Sequence, residues 1–126
     1  MDKYIEVAGR ILIGLIFFMA GIGKIGAAYA GTAGYMDSMG VPGALLPVVI
    51  ILEIVGGLMV ITGFKVKWAA YALAAFTLVA GVIFHSNFAD QMQSIMFMKN
   101  LAITGGLLLL AVHGAGELSL DKKLSK

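Results

Sequence analysis

The chain has 126 residues, of which 60% are hydrophobic and 13% charged, with a mean hydropathy of +0.98; a water-soluble domain carries about 25% charged residues, so composition predicts an integral membrane protein. The net charge of +2 sits mostly in loops and does not make a nucleic-acid footprint. With no cysteine, the chain offers no disulfide, dithiol redox centre or iron–sulfur ligation, so any electron transfer uses a bound or partner cofactor.

The first apolar run covers about residues 4–28, near the ~20 residues that cross a ~30 Å hydrocarbon core. At about 100° per residue, Glu6, Arg10, Gly14, Phe17, Gly21 and Lys24 fall within an arc of about 80°, which should face a bundle. Glu6 and Arg10 are spaced for a favourable i,i+4 pair, and a structural pair or a lipid-headgroup contact suits them better than chemistry. Lys24 lies near the opposite end, where it either snorkels outward or meets a ligand. A signal-peptide reading of the run 11–22 with Ala28-Tyr29-Ala30 is disfavoured by Lys24 before the cleavage site and by Glu6 in a region that should be basic.

Residues 29–42 hold the Gly, Pro and Asp punctuation of a connection, and Pro42 and Pro47 act as start signals for the second run at 43–62. Glu53 lies at its centre. An ionised side chain there costs about 2.5–3.5 kcal/mol on insertion scales, so Glu53 must pair, protonate or bind something. Gly56 and Gly57 follow it, clearing space for a neighbouring helix or a flat ligand. Glycine at 17 of 126 positions fits membrane helices that pack closely through small residues.

The connection 63–67 carries Lys65 and Lys67. The third run, 68–86, ends at His85 and Ser86, and imidazole titrates near neutral pH, which suits a proton relay. After 87–90, the fourth run at 91–114 places Met92, Met96, Lys99, Ile103, Gly106, Leu110 and His113 on one face, with Asn100 about 100° away. Lys99 is the natural partner for Glu53, and Asn100 offers both a donor and an acceptor. His113 reads as interfacial. Eight methionines with only two histidines, at opposite membrane faces, indicate core packing rather than a copper site, and no metal, phosphate-loop or hydrolase motif occurs.

Lys3, Lys65, Lys67, Lys122, Lys123 and Lys126 hold all the loop cations, whereas the other two connections contain Asp37 and Asp90. The positive-inside rule then puts both termini in the cytoplasm. The expected fold is all-α: a transmembrane four-helix bundle forming one domain over 1–126.

Several separated pieces, Arg10 before its apolar run, Gly21-Ile22-Gly23-Lys24, Gly40-Val41-Pro42, Glu53-Ile54-Val55-Gly56-Gly57, His85, Lys99-Asn100-Leu101-Ala102-Ile103-Thr104-Gly105-Gly106 and the tail Gly116-Glu117-Leu118-Ser119-Leu120-Asp121, resemble the DoxX family of small four-helix membrane proteins along nearly the whole chain. The resemblance implies a bacterial plasma (inner) membrane protein linked to redox metabolism, since relatives are associated with thiosulfate:quinone oxidation and oxidative-stress complexes. It carries Arg10, Lys24, Glu53, His85, Lys99 and Asn100 over as the site.

The leading expectation is a membrane redox component holding a quinone or a similar flat, lipid-soluble carbonyl compound, with Lys24, Lys99 and Asn100 as ligand-binding residues and Glu53 and His85 as the catalytic proton-exchanging pair. A soluble or membrane redox partner and a homo-oligomer belong to this expectation. The alternatives are a small-molecule or lipid transporter or binding protein, and a structural membrane anchor that recruits soluble redox partners.

Overall fold

In hydrocarbon a chain satisfies its backbone polar groups within a helix or a closed barrel, and apolar runs of this length choose the helix. The computed structural model describes residues 2–84, 89–116 and 118–124. In order these form α1 (Asp2–Gly23), α2 (Ala27–Ser38), a 3-10 turn (Gly43–Leu45), α3 (Leu46–Thr62), α4 (Val66–Phe84), α5 (Gln91–His113) and the short α6 (Leu120–Leu124). Among the described residues four helical segments are long and apolar enough to cross a membrane: Asp2–Gly23, Gly43–Thr62, Val66–Phe84 and Gln91–His113. Large apolar side chains such as Leu12, Ile51, Leu109 and Val112 point outward, as lipid-facing residues of a membrane bundle do.

The most extensive packing is between α1 and α3 and between α4 and α5; α3 also packs on α4, while α1 and α5 barely touch. The α1–α3 approach depends on missing side chains. A Cβ at Gly57 would lie 2.8 Å from the carbonyl oxygen of Gly14 and from the amide nitrogen of Phe18. Phe17, Val60, Leu73 and Leu107 fill the bundle beside this contact.

Residues 29–42, expected as a plain connection, largely form helix α2. The first span ends at Gly23, and Gly26, the N-cap of α2 at φ 78°, turns the chain into that helix. Ala27, Ala28, Ala30 and Ala33 favour helix, but the segment has no pronounced apolar stripe, which hid it from periodicity. Asp37 Oδ1 accepts from the Gly43 amide at 2.7 Å, and Met36 packs with Leu46 and Ile50. Thus α2 covers one end of the bundle, hereafter the α2 end.

At the other end, the termini end, the tail is fastened to the helices. The Arg10 guanidinium, only 3% exposed, donates to the carbonyls of Val60 and Ile61 at 3.4 and 3.3 Å and to the carbonyl of Leu118. Val60 and Ile61 lie in the last turn of α3, where carbonyls lack intrahelical partners and the helix dipole favours a cation. Gly63, at φ 76°, closes α3 with amide bonds from Gly63 to Val60 and from Phe64 to Met59, a Schellman ending. Asp121 then caps α4: its carboxylate accepts from the amides of Lys65 and Val66 at 2.5 and 2.9 Å, and its own amide donates to Gly63.

Candidate functional site

Towards the α2 end, the divergence of α1 and α5 leaves a cavity of about 360 Å³ whose walls come from α1, α2, α3, α4 and α5 and are mostly apolar. That volume lies within the ~300–1,000 Å³ of small-molecule sites. Glu53 reaches it from α3 and is 4% exposed. Its Oε1 accepts at 2.7 Å from Nζ of Lys24, the residue just after α1, and the same ammonium donates to the carbonyl of Ala20 at 3.2 Å. Gly21 permits this geometry, since a Cβ there would stand 3.2 Å from the Cβ of Glu53. Among the described residues Glu53 Oε2 has no hydrogen-bond partner.

Across the cavity, Asn100 of α5 donates through Nδ2 to the carbonyl of Thr77 at 3.2 Å and packs on Gly81. Among the described residues its Oδ1 and second N–H are uncommitted. Phe17 forms part of the floor. Tyr35 and Phe84 stack with centroids 5.4 Å apart and line the upper wall. Ile16 and Met96 also line the cavity, yet are 50% and 38% exposed, so they form a rim where the cavity meets the outside between α1 and α5.

The structure therefore brings together Lys24, Glu53 and Asn100. Glu53 pairs with Lys24, correcting the expected Glu53–Lys99 pair. On α5 the fully buried residues are Thr104, Leu107 and Ala111; of the expected stripe Ile103, Gly106 and Leu110 are half-buried, whereas Met92, Met96, Lys99 and His113 are exposed, and Lys99 lies outside the cavity that the half-buried Asn100 lines. His85 lies outside the described residues; Phe84, the residue before it, lines the cavity. His113 is exposed at the end of α5. Arg10 belongs to the termini end, and Glu6 lies against Gly116 instead of forming an ion pair with Arg10.

The DoxX family model matches residues 6–86. The chain belongs to the DoxX family. It is 52% identical over 120 residues to the inner membrane protein YqjF of Escherichia coli, covering 95% of this chain and 92% of YqjF. It is 34% identical over 121 residues to the inner membrane protein YphA of the same organism, with 90% and 86% covered. It is 30% identical over 124 residues to the Bacillus subtilis protein named "Putative oxidoreductase CatD", where 96% of this chain and 90% of CatD align. No solved structure matches the chain.

In this DoxX protein Lys24 and Glu53 fall inside the matched region, whereas Asn100 completes the cavity from beyond it. Sequence reasoning missed Thr32, Tyr35, Met36 and Thr77 as lining residues. The first three sit on α2, in a segment read as a connection, and Thr77 carries no charge to mark it. Chemically, the cavity offers one ion pair able to exchange a proton, an amide able to donate or accept, and apolar walls for a flat hydrophobic body.

Proposed function

We propose that this DoxX protein is a component of a membrane redox system and binds a quinone, or a comparable lipid-soluble carbonyl compound, in the cavity between Lys24–Glu53 and Asn100. The carrying observation is the placement of an ion pair and an incompletely bonded amide on facing walls of an otherwise apolar cavity inside the span region. The Asn100 amide hydrogen-bonds one carbonyl oxygen of the ligand. The Lys24 ammonium faces the other, and Glu53 passes on in turn the two protons that accompany two-electron reduction of the quinone to the quinol, with His85 as the next proton carrier. Electrons come from a partner, because the chain itself has no thiol. The name of the CatD relative is in keeping with redox chemistry.

Access is from the bilayer, through the rim at Ile16 and Met96. The packed Phe17, Leu73 and Leu107 below the cavity favour holding a ligand over conducting one through the bundle. Both termini are cytoplasmic in this reading, which puts the cavity in the outer half of the inner membrane.

Mass spectrometry of the organic extract of the purified protein tests the proposal. The expected result is a quinone near one per chain, falling at least tenfold in Glu53→Gln while the variant inserts normally. A protein purified in native lipid that carries no quinone, or equal amounts in both proteins, overturns it.

A further inference from the structure

Arg10 and Lys24 both spend their charge inside the bundle, on carbonyls and a carboxylate, although Arg10 Nε is buried with no hydrogen-bond partner among the described residues. Lys99 is different. It is exposed on the outward side of α5, eight residues from Gln91 and so about 12 Å along the helix from its start at ~1.5 Å per residue. Among the described residues it has no hydrogen bond or ion pair. It lines a second groove, of about 400 Å³, with Gln91, Ser94, Ile95, Met98 and Ala102.

We propose that this groove is a phospholipid site in which Lys99 binds the phosphodiester of an anionic lipid from the leaflet at the α2 end. Direction supports it: helical Cβ atoms tilt towards the helix N-terminus, so the flexible stem of Lys99 rises towards the headgroup level near Asp90 and Gln91. The lining is graded in the same sense. Gln91 and Ser94 occupy the outer part of the stripe, while Met98 and Ala102 lie deeper and suit an acyl chain. Among the described residues at the α2 end, a second copy lying parallel in the same leaflet supplies no matching carboxylate. Glu53 is buried and paired with Lys24, and Asp37 and Asp90 each cap local backbone amides. A phosphodiester brings the required negative charge together with the apolar chain that the deeper groove accommodates. The groove shares no lining residue with the cavity, so the two sites stand or fall separately.

The test is native mass spectrometry of protein released from vesicles of phosphatidylcholine and phosphatidylglycerol mixed three to one, comparing the unmodified chain with Lys99→Arg, Lys99→Gln and Ala102→Trp. The unmodified protein and Lys99→Arg are expected to retain one phosphatidylglycerol per chain in preference to phosphatidylcholine. Lys99→Gln should retain at least fivefold less, and Ala102→Trp, which fills the groove but keeps the charge, should also lose lipid. Equal retention in Lys99→Gln and the unmodified protein, no preference for the anionic lipid, or no lipid retained at all overturns the proposal.

Discussion

Arg10 ties together the end of α3 and the C-terminal tail through three carbonyls. Hydrogen bonds to a charged group are worth about 1.5–3 kcal/mol each in net terms, so Arg10→Leu is expected to destabilise the bundle by at least ~2 kcal/mol and to release the tail. Hydrogen exchange should rise first at residues 118–124. Lys is a poor substitute, because one ammonium cannot span carbonyls that a planar guanidinium fork reaches together; an Arg10→Lys variant with unchanged exchange would refute this role. The Lys24–Glu53 pair makes a different prediction. Removing one partner of a buried pair costs about 3–5 kcal/mol, whereas replacing both by apolar residues is often neutral. Lys24→Met should therefore lower stability strongly, and Lys24→Met with Glu53→Leu should restore most of it while abolishing ligand binding. Additive losses in a double-mutant cycle would show that the two side chains act independently.

At the scale of the helices, the close approach of α1 and α3 rests on Gly14 and Gly57, whose backbones leave no room for a methyl group. Overpacking costs about 1–3 kcal/mol where neighbours can shift, and here the obstacles are backbone atoms, so Gly57→Val is expected at or above the top of that range and should displace Glu53 from the cavity. Unaltered unfolding of Gly57→Val would contradict the packing. The four spans were legible because length and apolarity alone decide a membrane helix, and the α1 arc was legible because Arg10, Gly14, Phe17 and Gly21, all buried, recur at helical spacing. Helix α2 was not legible: its alanines and glycines produce no strong periodicity, and its glycines and Asp37 read as loop punctuation. The orientation of α5 was not legible either. Apolar residues surround that helix on nearly every side, so the sequence could not say which stripe faces inward, and the one-residue difference between Lys99 and Asn100 decided which of them reaches the cavity. Glu53 was identifiable from depth alone, but its partner depended on which helix packs beside α3.

Over the whole molecule, four spans arranged in the order α1–α3–α4–α5 leave one weak seam, between α5 and α1, and the cavity opens there at Ile16 and Met96. A Phe76→Trp variant in a Trp68→Phe background places the only indole on the cavity wall. Its fluorescence is expected to be quenched by lipids brominated on the acyl chains and not by aqueous iodide. Quenching by iodide alone would place the mouth in water instead of lipid.

Lys24, Glu53 and Asn100 are proposed to form one ligand site. That site is tested most directly by equilibrium titration of a short-chain benzoquinone into the protein in lipid nanodiscs, with Asn100→Leu and Glu53→Gln alongside. Saturable binding of one molecule per chain, weakened about tenfold (~1.4 kcal/mol) in each variant, is the expected result. Non-saturable partitioning, or identical affinity in all three proteins, would contradict the account.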